Sequence, residues 1–210
     1  MNKFSNPYLI RIAYTLSMHY CLYVHVKIFS ISIIGNNMKL SPSVSIEQSN
    51  TGLEFIKVAG SKCDAKIFLQ GGQITEFIPK NKKPLIWVSK NETYQEGASI
   101  RGGIPICWPW FGTHENDGWP AHGIARTSLW QADEVHESDE QITISLKLPM
   151  KLVNTEYWPH QSALIVEFVL TDKLQVRLTT TNLSNAAFSY TQALHTYFPT
   201  SDIKSTFVDG

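Results

Sequence analysis

The stretch RGGIPICWPWFGTHENDGWPAHGIAR, residues 101–126, combines prolines, glycines, tryptophans and histidines with an arginine at each end. Proline removes a backbone hydrogen-bond donor and glycine weakens the interior of a helix or strand, so this composition predicts a long, shaped loop. Its aromatic side chains favour burial over disorder, and long ordered loops in compact domains usually carry function. We therefore interpret residues 101–126 as a ligand-binding loop around which the rest of the chain is organised.

The side chains of this loop suit an anionic, ring-shaped small molecule. Arg101 and Arg126 present planar guanidinium groups that match carboxylate or phosphate oxygens. Aromatic side chains can stack on the faces of a sugar ring, and the candidates here are Trp108, Trp110, Phe111 and Trp119. An alternative stays open, in which the tryptophans fill a β-sheet core and the arginines pair with nearby carboxylates.

Short segments rich in β-branched or aromatic residues lie on both sides of the loop and predict β-strands. Before the loop they are 53–59, 65–69, 74–78 and 85–88, and after it 141–148, 163–170 and 174–180. Apolar residues alternate most clearly in 141–148 and 174–180, as expected of strands with one buried face. No helical periodicity is sustained after residue 38, so the pattern predicts an antiparallel all-β fold, a sandwich or a barrel.

Composition and charge narrow the class of protein. A chain of 210 residues with a hydrophobic fraction of 43% can bury a sizeable core, as one all-β domain or as two small ones. The net charge is zero with the histidines neutral, which argues against nucleic-acid binding through a basic surface. The cysteines Cys21, Cys63 and Cys107 are scattered and odd in number, which predicts reduced thiols in a cytoplasmic protein. We interpret Cys107 as a small buried hydrophobe.

The N-terminal segment differs from the rest of the chain. Residues 8–34 are rich in apolar side chains, but Arg11, His19, His25 and Lys27 interrupt them. No clean apolar stretch of the ~20 residues that a membrane helix needs is left, and no small-residue cleavage pattern follows. We therefore expect residues 1–37 to be an extension outside the domain, residues 38–210 to be the N-terminal part of the domain, and the protein not to bind membranes.

His195 is the candidate for proton transfer. On a strand, side chains two apart share a face, so His195 and Tyr197 would project together, opposite Leu194, Thr196 and Phe198. A histidine near its unperturbed pKa of ~6.5 can donate or accept a proton at neutral pH, as general acid–base chemistry requires. A structural role for the same histidine is the competing interpretation.

His122 is the second histidine of the candidate site. If its segment made a helical turn, His122 and Arg126 would face the same way, so two imidazoles and two guanidiniums could converge on one pocket. A metal site built from His114, His122 and His195 is the competitor. It is disfavoured because the sequence has no HExxH or HxH motif and because an arginine repels a bound cation, so we expect no metal.

Together these stretches resemble a known family. RGGIPICWPWFG at 101–112, HGIAR at 122–126 and ALHTYF at 193–198 resemble the hexose-6-phosphate mutarotase branch of the aldose 1-epimerase superfamily, which includes glucose-6-phosphate 1-epimerases. The resemblance implies an antiparallel β-supersandwich of the galactose mutarotase-like kind. It also implies an enzyme of carbohydrate metabolism that interconverts the α and β anomers of hexose 6-phosphates without metal or organic cofactor. We expect the protein to be a monomer.

The resemblance also implies roles for individual residues. His195 matches the histidine that protonates the ring oxygen of the sugar, and Arg101 and Arg126 match arginines that bind the substrate and are expected to contact its phosphate. His122 lines the same pocket, and Trp108 and Phe111 are taken as substrate-contacting aromatics.

One element of the family pattern is missing. The family's general base is a glutamate well beyond the catalytic histidine, whereas this chain has only Asp202 and Asp209 after His195, and neither matches. We therefore expect the domain to be incomplete at its C-terminal end. The alternative to an active epimerase is an inactive remnant that binds phosphosugar without catalysis, since loss of a general base costs about two to four orders of magnitude in rate.

Overall fold

The computed structural model describes residues 40–207 as a set of antiparallel β-strands joined by loops and short 3₁₀ turns. In chain order the strands are β1 (Val44–Gln48), β2 (Glu54–Ala59), β3 (Cys63–Phe68), β4 (Gln73–Pro79), β5 (Ile106–Cys107), β6 (Gln131–Glu137), β7 (Ile142–Lys147), β8 (Ser162–Leu170), β9 (Leu174–Asn182) and β10 (Ala193–Leu194). The 3₁₀ turns are Ala125–Thr127, Met150–Leu152 and Ile203–Ser205. The prediction of an antiparallel all-β fold is confirmed.

Two four-stranded sheets enclose the main core. Their strand orders are β1-β2-β3-β4 and β6-β7-β8-β9, and every neighbouring pair is antiparallel. One continuous hydrophobic cluster takes Ile56 and Ile67 from the first sheet and Ile144 and Val166 from the second, so the sheets pack face to face. A separate pair of short strands, β5 and β10, carries the segments that matter for the candidate site.

Strand β7 shows why the alternating sequences became strands of a sandwich. Ile142, Ile144 and Leu146 are buried, while the polar residues between them are only half-buried. Burial of apolar side chains is favourable at about 25 cal/mol per Å², and only the period of two places all three on one face. The strand predicted over 141–148 is therefore confirmed, with its predicted inward face.

Three parts of the strand prediction were wrong or incomplete. Strands β1 and β6 were not predicted, and β6 is hard to detect because Ala132 is its one fully buried residue and a bulge after Ala132 shifts its register. The strand predicted over 85–88 is absent; only Val88 pairs there, through a single bridge to Gly102. Backbone pairing to β7 compensates for the weak patterning of β6. The backbone of 85–88 instead hydrogen-bonds to three different segments, at Phe77, Gly103 and Tyr197, so no single neighbour extends it into a strand.

The loop over residues 101–126 is largely irregular, as predicted. Its regular parts are β5 and the 3₁₀ turn Ala125–Thr127. A parallel bridge joins Trp108 to Gly123 and brings the two ends of the loop side by side. Gly123 has φ +74, and a Cβ at this position would lie 2.1 Å from the carbonyl oxygen of Trp108. Only glycine permits this approach, which also fixes where the neighbouring His122 lies.

Strand β9 is the last strand of its sheet in the described chain, and its apolar face is only half-buried. Beside it lies an apolar groove of about 210 Å³. The groove is lined by Leu85, Ile86, Ile104, Leu174, Val176, Leu194, Thr196 and Phe198.

Residues 1–37, which the sequence predicts to be an extension, lie outside the described residues, so the predicted domain limits stay a prediction. Between residues 40 and 207 no helix is long and apolar enough to cross a membrane.

Candidate functional site

His195 follows directly after β10, which pairs with β5 in the loop. Its backbone N–H donates to the carbonyl of Pro105 at 3.0 Å. Its ring lies 5.0 Å from the ring of Tyr197, centroid to centroid, whereas Leu194 and Phe198 point into the apolar groove on the other side. As predicted, His195 and Tyr197 lie on one side of this segment, and Leu194 and Phe198 lie on the other.

His122 is held by two hydrogen bonds with a single residue, Gly112. The backbone N–H of His122 donates to the Gly112 carbonyl at 2.7 Å, and the Gly112 N–H donates to Nδ1 of His122 at 3.1 Å. Since Nδ1 accepts, the proton of the neutral ring lies on Nε2, which becomes a hydrogen-bond donor. The pKa of His122 is lowered by burial and then by the positive charge of Arg126 and by His195. His122 is therefore a neutral donor at physiological pH.

Phe111 forms a cluster of three rings with His122 and His195. Its centroid is 5.0 Å from that of His122 and 6.2 Å from that of His195, and the two histidine rings are 6.2 Å apart. Half of the Phe111 surface is exposed. Its backbone N–H donates to Oγ1 of Thr191 at 2.9 Å, which ties the loop to the segment before β10. The three side chains present one open surface with an aromatic face and two imidazoles.

Arg126 adds positive charge beside this surface. Its Nη2 donates to the carbonyl of Ala121 at 2.8 Å, while its buried Nε has no hydrogen-bond partner. Because Ala121 directly precedes His122, this hydrogen bond places the Arg126 guanidinium beside the His122 segment. The convergence of the His122 and Arg126 side chains stays a prediction, and the backbone between them has a left-handed His122 (φ +66) and a 3₁₀ turn instead of one helical turn.

The backbone near Arg101 runs close to the His195 segment, whereas a place for the Arg101 side chain in the site stays a prediction. The carbonyl of Gly103, two residues on, accepts a hydrogen bond from the N–H of Tyr197 at 2.9 Å, so this part of the loop runs beside the His195 segment. The side chain of Arg101 is exposed. Within residues 40–207 neither Arg101 nor Arg126 forms a salt bridge with a carboxylate, so both guanidinium groups can still bind an anion.

The prediction that Trp108 contacts a substrate needs correction. Its indole is 0% exposed and belongs to the main core, where its ring meets that of Trp158 edge-on at 4.8 Å. The bridge to Gly123 fixes the backbone of Trp108. The indole therefore packs in the core beneath the site and does not line the site. For this one tryptophan, the alternative interpretation of a core-filling residue is the correct one.

The other aromatic residues of the loop pack on one another. Trp110 lies 5.4 Å from Trp119 and 4.7 Å from His114, and His114 stacks on Trp119 at 4.3 Å, next to Tyr157. This cluster stiffens the loop and keeps His114 away from the other two histidines. Within residues 40–207 no three His, Cys, Asp or Glu side chains come together in a way that could hold a metal ion.

The described cysteines are not nucleophiles. Cys63 and Cys107 are free and buried. Burial raises the pKa of both thiols, that of Cys63 to about 11, so both stay protonated. The interpretation of Cys107 as a small buried hydrophobe is confirmed, and Cys21 lies outside the described residues.

No carboxylate joins the two histidines in the described part of the chain. Asp202 caps the 3₁₀ turn Ile203–Ser205, where it accepts hydrogen bonds from the N–H of Lys204 and the hydroxyl of Ser205. Within residues 40–207 neither His122 nor His195 hydrogen-bonds an Asp or Glu side chain.

Sequence reasoning missed two residues that shape the site, Thr191 and Glu92. Thr191 holds Phe111 from 80 positions away, and Glu92 accepts the backbone N–H of Arg101. No local pattern marks either one, because the contact that gives each its role depends on how distant or irregular segments fold.

Comparisons with known proteins agree with this geometry. The aldose 1-epimerase family matches residues 55–209. An Escherichia coli protein provisionally named a glucose-6-phosphate 1-epimerase is 33% identical over 184 residues, which is 88% of this chain and 60% of that protein. The solved structure of a protein provisionally named a mutarotase from Salmonella typhimurium is 31% identical with a TM-score of 0.70, covering 77% of this chain and 53% of that one.

A more distant structure shows the fold alone. A galactose mutarotase-like protein from Clostridium acetobutylicum is 17% identical with a TM-score of 0.54, covering 67% of this chain and 49% of that one. The fold is therefore galactose mutarotase-like, as the resemblance implied. This chain spans 60% of the length of its Escherichia coli relative. With the match over residues 55–209 and these relatives, the chain belongs to the aldose 1-epimerase family.

Proposed function

We propose that the protein acts as a glucose-6-phosphate 1-epimerase, interconverting the α and β anomers of hexose 6-phosphates. The observation that carries the proposal is the convergence of His122, His195 and Phe111 around one open surface, with Arg126 beside it. The names of the relatives point to the same activity.

The substrate would be held at two places. Phe111 is half-exposed and can pack against an apolar face of the sugar ring, as aromatic side chains do with carbohydrates. Arg101 and Arg126 would bind the 6-phosphate, since both guanidinium groups lack a carboxylate partner in the described chain and present planar forks of N–H donors. His122 would donate from Nε2 to a sugar hydroxyl.

The reaction requires one proton to be given and one to be taken. His195 would donate a proton to the ring oxygen while a general base removes the proton of the anomeric hydroxyl, so that the bond between C1 and the ring oxygen breaks and an open-chain aldehyde forms. Rotation about C1–C2 and the reverse proton transfers close the ring as the other anomer. His122 does not suit the role of base, because its Nδ1 already accepts from Gly112.

A second candidate function is binding of the phosphosugar without catalysis. It is favoured by the absence, within residues 40–207, of a carboxylate hydrogen-bonded to either histidine. Removal of a general base typically costs about 10²–10⁴ in rate while substrate binding remains.

Anomerisation of pure α-glucose 6-phosphate, followed by polarimetry or by NMR exchange, tests the proposal. We expect the wild-type chain to accelerate the reaction and His195→Ala to lose that acceleration by about 10²–10⁴. His136→Ala is the matched control, because His136 is an exposed histidine of β6 paired with Glu134.

Equal rates for the wild type and His195→Ala would contradict the assignment of His195. If the wild type gives no acceleration but glucose 6-phosphate still shifts protein resonances, the binding function replaces the enzymatic one.

A further inference from the structure

We propose that Glu92 is a positioning residue that fixes the backbone of Arg101 and thereby sets the affinity of the site for a sugar phosphate. The inference rests on the proposed function in one respect, namely that Arg101 binds the phosphate. Glu92 lies in the loop before residues 101–126, and nothing in the sequence motifs points to it.

The carboxylate of Glu92 joins two points of the chain that are nine residues apart. Its Oε1 accepts the backbone N–H groups of Thr93 and Tyr94 at 2.9 and 2.8 Å. Its Oε2 accepts the backbone N–H of Arg101 at 2.5 Å. Hydrogen bonds to an ionised carboxylate are stronger than neutral ones, so this single side chain closes the loop 92–101.

The Tyr94 end of this connection is anchored to the sandwich. The ring of Tyr94 stacks on Phe68 of β3 at 4.8 Å with an interplanar angle of 9°. Oγ1 of Thr51 donates to the Tyr94 carbonyl at 2.6 Å. Glu92 therefore ties Arg101 to a point that the packed sheet already holds in place.

The peptide groups on both sides of Arg101 are also engaged. The buried side chain of Gln73 donates to the carbonyls of Ile100 and Gly102, and the Ser89 N–H donates to the Arg101 carbonyl at 2.9 Å. The backbone of Arg101 is thus bound at its N–H, at its C=O and at both neighbours, whereas its guanidinium has no ion pair in the described chain. A fixed backbone beneath an unpaired cation lowers the ordering cost of anion binding.

Glutamate suits this position because all three of its partners are donors. A glutamine would present an NH₂ group to one of them, so at least one hydrogen bond would be replaced by two opposed donors. The lost hydrogen bond should weaken phosphate binding. Loss of the negative charge alone should strengthen it, because a carboxylate near a phosphate site repels the phosphate. The two effects can therefore be separated by the sign of the change in affinity.

The test compares Glu92→Gln with Glu96→Gln in dissociation constants for glucose 6-phosphate and for unphosphorylated glucose, by calorimetry or NMR titration. Glu96 is an exposed carboxylate of the same loop whose side chain makes no hydrogen bond within residues 40–207. We expect Glu92→Gln to weaken glucose 6-phosphate binding roughly tenfold, as the loss of one charge-assisted hydrogen bond would do, with glucose affinity unchanged. Glu96→Gln should leave the affinity for glucose 6-phosphate unchanged or slightly higher.

Three results would overturn the inference: unchanged affinity in Glu92→Gln, equal weakening in both variants, or equal loss of glucose and glucose 6-phosphate binding. Thermal unfolding of each variant shows whether it is folded. If the wild type binds but does not accelerate anomerisation, the enzymatic proposal fails while the Glu92 comparison still decides this inference. If the wild type does not bind the phosphosugar, both fall.

Discussion

His122 combines a left-handed backbone with a neutral imidazole, and Gly112 supports both. Its φ of +66 is uncommon for a residue with a side chain, and asparagine is among the few residues that adopt it readily. The hydrogen bond from the Gly112 N–H occupies Nδ1 and would be lost if that atom were protonated. The chemistry of this residue is therefore linked to pH through the fold of the loop.

We expect His122→Asn to reduce the pH dependence of stability. Because the folded-state pKa of His122 is lowered from 6.5, the unfolded chain binds the proton first as pH falls, so the free energy of unfolding decreases from about pH 6.5 downward. Asparagine keeps an acceptor for Gly112 and tolerates positive φ, but it does not titrate. Urea denaturation at about pH 7.5 and at about pH 5 gives the loss of unfolding free energy between the two pH values for each protein. Equal losses in the wild type and in His122→Asn would contradict the prediction.

The site residues that sequence could identify were those with a chemical signature. The rings of His195 and His122 lie 6.2 Å apart, as expected, next to the ring of Phe111, while the roles of the Arg101 and Arg126 guanidinium groups stay predictions. Trp108 was misassigned because a tryptophan in a glycine-rich loop has the same sequence signature whether it faces a ligand or the core. Its direction depends on the close approach of Gly123, which only the folded backbone reveals.

Among the elements, the pairing of Trp108 with Gly123 is the contact on which the loop depends. It aligns the segment after β5 with the segment before the 3₁₀ turn Ala125–Thr127, and the N–H groups of Ile124 and Ala125 both donate to the Trp108 carbonyl. The orientation of His122 follows from this contact because His122 precedes Gly123 directly.

Gly123→Ala should destabilise the fold far more than Gly118→Ala. Both glycines have positive φ, which costs alanine about 1–2 kcal/mol. At Gly123 the new Cβ would also meet the Trp108 backbone, whereas nothing lies within 4 Å of it at Gly118, so we expect about 1–3 kcal/mol of further loss. Chemical denaturation of the two variants measures this; equal losses would show that the close approach does not limit stability.

The strands differ in how much of the pattern that predicts them lies in their own sequence. Strand β7 alternates apolar and polar residues and was predicted with its correct face. Strand β6 has little apolar content and gains its place from pairing with β7, so its existence depends on a neighbour that a local window does not contain. Strand β10 is only two residues long, and its partner β5 lies in the loop itself.

At the scale of the whole molecule, the half-buried apolar face of β9 lies beside the groove and, within residues 40–207, at the outer position of its sheet. An edge strand with unpaired backbone groups and apolar side chains favours association between chains. The monomeric state and the cytoplasmic location expected from the sequence stay predictions, and for a protein with this strand at a sheet edge we expect association to grow with concentration.

Val176→Lys should suppress this association. Val176 lines the groove beside β9, and an inward-pointing lysine blocks edge pairing. Thr179→Lys adds the same charge to the exposed face of the same strand and is the control. Light scattering over a concentration series should show smaller particles for Val176→Lys alone; equal effects in both variants would assign the change to net charge.

The packing of the tryptophans also has an optical consequence. Trp108 and Trp158 meet at 4.8 Å with an interplanar angle of 60°, and Trp110 and Trp119 lie 5.4 Å apart at 39°. Indole rings held this close at fixed, non-parallel angles couple their electronic transitions and produce paired bands of opposite sign in circular dichroism. One pair reports on the core beneath the site and the other on the loop beside it, so the assembled loop can be followed in unlabelled protein without any substrate.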